Sequence, residues 1–252
     1  AQDAEVEEDA AAAAAADAAA VADAAASPMR NAAVSSGPSA WLTRQAGSPH
    51  DPQRAALRLA WALAAANCQA EVAQLTQLRS LLVGHCTSRS DQHEAAHWEE
   101  DLCALHQYEL WVQHEYRHAP LQLDVALAAK AHAVFQRREE SECKCDEALG
   151  QALLELGIQH TPRHTTVHGY ALDFALPEQR LGVVVDLPQH FVGSSHTLTG
   201  GRALKHRQIR ALGWALVTVP YFEWQPLRAL PEPRSAYLQD ILATVEPPFV
   251  DA

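Results

Sequence analysis

The stretch Tyr170-Ala-Leu-Asp-Phe-Ala-Leu-Pro-Glu-Gln-Arg-Leu-Gly-Val-Val-Val-Asp-Leu-Pro-Gln-His-Phe191 decides the fold. Tyr170, Leu172, Phe174 and Leu176 recur at every second position. This is the period of a strand, with Asp173 on the opposite face beside Ala171 and Ala175. Pro177-Glu-Gln-Arg180 reads as a hairpin loop. Leu181 to Leu187 is a second strand, and its unbroken Val183-Val-Val185 run suits a central position covered on both faces. Each strand carries one aspartate, Asp173 and Asp186, and His190 follows shortly after. Three readings are open for acids in apolar strands: a catalytic or metal site, a hydrogen-bonded structural role, or the residue of an ancestral site. A histidine beside them is a candidate general base or a structural hydrogen-bonding partner.

Downstream, a helix starts at Thr199 or Gly200 and is ended by Gly213. Trp214-Ala-Leu-Val-Thr-Val219 is a third strand, stopped by Pro220. A last helix begins near Pro233 with Tyr237, Leu238, Ile241, Leu242 and Val245 inward. On the helix 200–212, Arg202, His206 and Arg210 stand at i, i+4 and i+8, flanked by Lys205 and Arg207. Leu204, Gln208, Ala211 and Leu212 turn to the core. Such a basic stripe suits phosphates, giving affinity without sequence readout; the plainer alternative is a solvated face. Trp214 is expected in the core. Tyr221 and Trp224 are expected partly exposed at the rim, where they can stack on bases.

Upstream the period is helical. Leu57, Trp61 and Ala64 form one stripe and Val72, Leu75, Leu78 and Leu82 another. A third helix runs from about Asp91 to Tyr116, with Trp98, Leu102, Leu105, Val112 and Tyr116 on one side. Pro120 opens a fourth, with Leu123, Leu127, Ala131 and Val134 facing together. The expected organisation is α+β. A low-complexity, disordered Ala/acid tail (1–51) precedes an all-helical bundle or helical-repeat segment (52–138). A charged linker (139–145) leads to a C-terminal α/β domain (146–246) and a short tail (247–252). Asp146 caps the first helix of the α/β domain, which Gly157 stops.

The net charge of −12 is segregated along the 252 residues. Ala1–Ala26 holds seven acids and no basic residue, whereas residues 159–245 hold eight Lys/Arg against six Asp/Glu, with six histidines. Overall acidity therefore does not exclude nucleic acid for the C-terminal part. Five cysteines, none of them in the last hundred residues, argue against a disulfide framework and for a reducing or organellar interior. Cys143-Lys-Cys145 with His85 and Cys86 lacks a second cysteine pair at ligand spacing, so no metal site is assigned. His160, His164 and His168 step by four where the pattern is not helical, which makes no metal-binding helix face. No apolar run approaches the ~20 residues of a membrane span. The chain opens on alanine, and its one methionine is Met29, so it is read as a processed product or a piece of a longer protein.

Five blocks in order resemble the RAP domain, a module of organellar RNA-associated proteins. They are Leu172-Asp-Phe-Ala-Leu-Pro177, Val185-Asp-Leu-Pro-Gln-His-Phe191, Leu204 to Trp214, Val219-Pro-Tyr-Phe-Glu-Trp224 and Tyr237-Leu238. Leu187 stands where the family usually has glycine. The upstream segment Leu102-Cys-Ala-Leu-His-Gln-Tyr-Glu-Leu110 resembles, loosely, the helical tail that precedes this domain in algal octotricopeptide-repeat proteins. The resemblance implies an RNA-binding protein of organellar RNA metabolism: processing, stability, translation or ribosomal RNA maturation. It implies a mitochondrial or chloroplast location. The implied partners are organellar mRNA or rRNA, with ribonucleoprotein or ribosomal proteins, and no membrane. The expected RNA-binding residues are Arg202, Lys205, His206, Arg207, Arg210, Tyr221 and Trp224.

The RAP domain is in turn similar to the restriction-endonuclease-like fold, whose active members gather Mg²⁺ with an Asp on one strand and an acid-x-Lys on the next. Here Asp173 matches the first acid. Val184 stands at the second, and Asp186 takes the lysine's place. A metal-dependent endoribonuclease with Asp173, Asp186 and His190 as catalytic candidates is thus the alternative, and Mg²⁺ a cofactor only under it. The reading favours a protein that is not an enzyme. A protein-binding scaffold in an organellar ribonucleoprotein is a further alternative.

Overall fold

Four strands, β1 (Thr161–Thr165), β2 (Ala171–Leu176), β3 (Leu181–Asp186) and β4 (Ala215–Pro220), form one mixed sheet in the order β1-β2-β3-β4. The first three are antiparallel neighbours, and β4 is parallel to β3. The computed structural model of the protein describes residues 52–68, 95–116 and 123–245, all within one compact unit. The Ala/acid tail, the stripe Val72 to Leu82, His85, Cys86, Pro120 and the C-terminal tail lie outside the described residues.

The parallel step between β3 and β4 requires a crossover, supplied by helix α5 (Gly200–Ala211). Helices α1 (Pro52–Ala65), α2 (Ala95–Leu110) and α3 (Val125–Glu142) precede the sheet. Trp111–Glu115 continues α2 as a π-helical turn. α4 (Glu147–Glu155), α6 (Tyr221–Leu227) and α7 (Pro231–Ala243) lie on the far side of the sheet. The fold is α+β.

Three clusters make up the interior. Ala56, Leu57, Ala60, Trp61 and Ala64 recur at helical spacing on α1 and pack on Leu105, Tyr108, Trp111 and Leu204. Leu102 and Cys103 of α2 and Phe135 of α3 pack on Tyr170, Leu172, Ala175, Val184 and Leu216 of the sheet face, with Ile209 of α5. On the other face Phe174, Val183, Val185, Val217 and Val219 meet Leu149 and Leu153 of α4, Trp224 of α6 and Leu238 of α7. The Val183-Val-Val185 run is therefore covered on both faces. The helical segment and the sheet share a core, because side chains of α2 and α3 belong to one buried cluster with those of β2 and β3.

Several local expectations are corrected. The alternation along β2 slips at Asp173: Leu172 and Ala175 face one cluster and Phe174 the other. The β2–β3 pairing begins at Phe174↔Val183, and Asp173 instead takes the Val185 N–H with its carboxylate Oδ2 at 2.8 Å. A side chain has replaced a backbone rung, and the face alternation shifts with it.

The charged run Arg137-Arg-Glu-Glu-Ser-Glu142 is not a linker but the last turns of α3. Its charges are complementary at i, i+4, as in Arg138 Nε–Glu142 Oε1 at 3.0 Å, and Glu139 points inward. The break comes at Cys143, which is extended. Asp146 then caps α4 by accepting from Ala148 N (2.9 Å) and Leu149 N (3.1 Å).

β1 is a strand that periodicity does not announce. Thr161-Pro-Arg-His-Thr165 lies at the sheet edge with no buried residue, so pairing to β2 rather than burial defines it. α6 was likewise unannounced, with Pro226 inside it, and α7 starts at Pro231 rather than near Pro233.

Candidate nucleic-acid interface

Burial organises α5. The sheet covers one of its sides through Ile209, and α1 with α2 cover another through Leu204. Only a narrow strip remains for solvent, and a repeat at i, i+4, i+8 cannot stay outside along the whole helix. Arg202 is 8 % exposed and His206 4 %. Neither belongs to an open phosphate-binding stripe.

Arg202 donates from Nε to Asp186 Oδ1 at 2.5 Å and from Nη2 to the Val185 carbonyl at 2.9 Å. His206 Nε2 lies 3.2 Å from the same Asp186 oxygen, and His190 Nδ1 3.7 Å from it. Burial alone would raise the Asp186 pKa, but His206 and Arg202 beside it hold it far below the usual carboxylate range. Burial lowers the pKa of both His190 and His206, against the pull of Asp186. His190 Nδ1 accepts the Leu187 N–H at 3.0 Å, so the neutral ring carries its proton on Nε2. Asp186 is thus a buried, charged anchor for α5, paired with Arg202.

Lys205 donates to Glu139 Oε2 at 2.6 Å, and its Nζ lies 5.9 Å from the Tyr170 ring centroid. Glu139 had been assigned to a linker. Arg207 pairs with Glu115 and donates to the carbonyls of Ala64 and, at 3.2 Å, Ala65. It caps the C-terminus of α1, where the helix leaves its last carbonyls unpaired. Gln208 joins α2 to the sheet, donating to Gln107 O at 2.7 Å and accepting from the Tyr170 hydroxyl. Ala211, expected inward, is exposed. Trp224 is 2 % exposed inside the far-side core. Tyr221 is half-buried, with Phe191 and Phe222 around it at ring separations of 5.7 and 5.5 Å.

The other catalytic candidates are also engaged. Asp173 is 7 % exposed; its Oδ2 takes the Val185 N–H and its Oδ1 the Cys143 thiol at 3.3 Å. Val184 is buried in the core. Asp173 and Asp186 therefore have different partners and form no open carboxylate pair.

Of the basic residues proposed on α5, Arg210 alone is classed as exposed. It donates from Nη2 to the Leu216 carbonyl at 3.3 Å and from Nη1 to the His206 carbonyl at 3.4 Å, which draws the guanidinium to the start of β4 and leaves its remaining N–H groups free. Gly213 ends α5 with φ of +83°, and the bonds Gly213 N to Arg210 O (3.0 Å) and Trp214 N to Ile209 O (3.3 Å) close the helix. This reversal sets Trp214 half-buried at the sheet, packed against the rim of the core, its ring 5.3 Å from that of His164 on β1.

The exposed Arg180, in the β2–β3 turn with φ of +47°, accepts the Ala215 N–H at 2.8 Å through its carbonyl. Its guanidinium passes beside Gly213: a Cβ there would lie 3.2 Å from Nη1. Arg180 forms no ion pair among the described residues. Two exposed cations thus lie near the start of β4, and the half-buried indole of Trp214 lies beside the imidazole of His164. Trp214 packs against the core as expected, but at its rim, while Arg180 and His164 are not among the expected RNA-binding residues. The available signal was the Leu-Gly-Trp junction, since a glycine-terminated helix puts the next side chain at a rim.

Residues 183–240 match the RAP domain family. The match runs from β3 into α7, while the sheet it belongs to begins earlier, at β1. Over 94 residues the chain is 34 % identical to a protein of Oryza sativa subsp. japonica named RAP domain-containing protein, chloroplastic, covering 37 % of this chain and 14 % of that one. Over 64 residues it is 34 % identical to the Bos taurus protein named FAST kinase domain-containing protein 3, mitochondrial, covering 24 % and 10 %. The aligned parts therefore span only a small fraction of those relatives' length. The chain contains a RAP domain over residues 183–240.

Proposed function

We propose that this protein binds RNA in a mitochondrion or chloroplast and serves organellar RNA metabolism: processing, stability, translation or ribosomal RNA maturation. The observation that carries the reading is the pair of exposed cations, Arg180 and Arg210, with the half-buried Trp214 and His164 rings, at and just ahead of the residues that match the RAP domain. Cations beside a half-exposed aromatic suit a single-stranded backbone with one base stacked on the indole. The two relatives, one named chloroplastic and the other mitochondrial, support an organellar location. The nuclease alternative has less support. Arg202 and His206 already surround Asp186, and a valine occupies the position of the second metal carboxylate.

Fluorescence anisotropy of the full chain with labelled single-stranded RNAs of several sequences tests the proposal. The double substitution Arg180→Ala/Arg210→Ala should weaken binding alike across sequences and lower the slope of log K against log salt by about 1.4. Trp214→Ala should cost about 1–3 kcal/mol at any salt. Unchanged affinity and slope in these variants, with the fold intact by circular dichroism, overturns the assignment.

A further inference from the structure

Asp173 is the one of the two strand aspartates whose charge the fold leaves unbalanced. Arg202 answers Asp186, and Lys205 answers Glu139. Asp173 is as buried as these and has no ion-pair partner among the described residues. A buried carboxylate without a counter-charge is costly, and one N–H bond offsets only part of that cost. What faces its free oxygen is sulfur. Cys143 Sγ lies 3.3 Å from Oδ1, and Cys145 Sγ lies 2.9 Å from the Asp173 carbonyl. The two thiol sulfurs and a carboxylate oxygen all lie within 4.8 Å of one another.

We propose that Cys143, Cys145 and Asp173 bind a zinc ion that ties the α3–α4 connection to β2. Two sulfurs and one oxygen form a donor set for a borderline-soft divalent ion, and a poor one for Mg²⁺ or Ca²⁺. Zinc holds thiolate at about 2.3 Å and carboxylate at about 2.0–2.2 Å, so the three ligand atoms must approach one another by no more than about an ångström. The ligands come from two segments far apart in the chain. Asp146 begins α4 immediately after Cys145, and Asp173 lies at the slip in β2.

The outer shell is also in place, because the Val185 N–H holds Oδ2 and thereby turns Oδ1 toward the thiols. Water fits the fourth position from an adjoining cavity of about 70 Å³, lined in part by Cys143, Asp173, His190 and Lys205. Binding converts two thiols to thiolates and releases two protons to solvent. The hydrogen bonds that the thiols now donate are exchanged for metal bonds. The sequence hid this arrangement because Cys143-Lys-Cys145 has no second cysteine pair. Its third ligand is the aspartate of a strand.

The full chain, purified under reducing conditions, is loaded with zinc, dialysed and measured for metal by mass spectrometry. Cobalt(II) substitution reads thiolate coordination from the sulfur-to-cobalt charge-transfer band. The expected result is one zinc per chain with that band present. Cys145→Ser and Asp173→Asn should each weaken affinity at least tenfold against a competing chelator, while Cys68→Ser, Cys86→Ser and Cys103→Ser leave it unchanged. A wild-type chain that retains no stoichiometric zinc overturns the proposal whatever the variants do. So does zinc that survives Cys143→Ser/Cys145→Ser.

Discussion

The two ends of α5 carry the same kind of residue and use it in opposite ways. At the N-terminal end Arg202 and Lys205 are spent on Asp186 and Glu139, and the helix is fastened to β3 and α3. At the C-terminal end Arg210 lies outside, near Gly213 and Trp214. Nothing in the helix itself distinguishes them. What differs is the neighbour: a carboxylate on β3 at one end, a glycine-terminated turn opening to solvent at the other. A basic helix in a small α/β domain is therefore not by itself a nucleic-acid surface. A cation paired in the interior contributes to specifying the fold, and one left outside is available to a ligand.

Breaking the buried end should have the largest effect. Arg202→Ala leaves Asp186 charged and unpaired in the interior, and should cost about 3–5 kcal/mol of stability in urea unfolding. A double change, Arg202→Met/Asp186→Leu, should recover much of that loss, since the penalty lies in the orphaned charge. If the single variant unfolds like the parent, the two ends of α5 do not differ as described.

Acid should act on another buried group, His106 of α2, whose Nε2 donates to the His168 carbonyl at 2.9 Å beside Phe135. His106 is held neutral, with burial lowering its pKa to about 4, and burial lowers His190 and His206 as well. Between pH 6.5 and 4 the unfolded chain takes up a proton at His106 that the folded chain refuses. Stability should therefore fall with pH across that window, by about 3 kcal/mol for His106 alone. Asp186 works at lower pH: its ion pair persists through the usual carboxylate range and weakens only as the acid begins to protonate it. Thermal unfolding across pH should show the fall, and His106→Gln should flatten the upper part. A flat profile in the parent contradicts it.

The exposed end should give the smallest change in stability. Arg180→Ala and Arg210→Ala should each stay within about 0.5 kcal/mol of the parent, while their combination lowers RNA affinity. A large destabilisation by either would mean that this end is structural too.

Periodicity made much of the framework legible. The apolar stripe of α1 is buried as its spacing requires, the hairpin lies between Tyr170 and Asp186, and the valine run of β3 is central. The slip at Asp173 was not legible, because alternation counts side chains and does not register a carboxylate standing in for a backbone rung. β1 was missed because an edge strand shows its pairing in hydrogen bonds, not in hydrophobicity. Glu139 was misread because a run of charges resembles a linker until its i, i+4 partners are seen to close a helix.

For the site, residue chemistry was readable and residue address was not. Strand and helix periods, the glycine stops and the order of five short blocks are local properties, written in neighbouring residues, and they sufficed to recognise the RAP domain and its α/β framework. Which arginine meets a carboxylate depends on contacts between residues far apart in the chain. Arg202 is sixteen positions from Asp186, Lys205 sixty-six from Glu139 and Cys143 thirty from Asp173. Packing α5 against the sheet and the preceding helices decided the first two pairings, because burial excludes water and favours the counter-charge beside each group, and packing the α3–α4 connection on β2 decided the third.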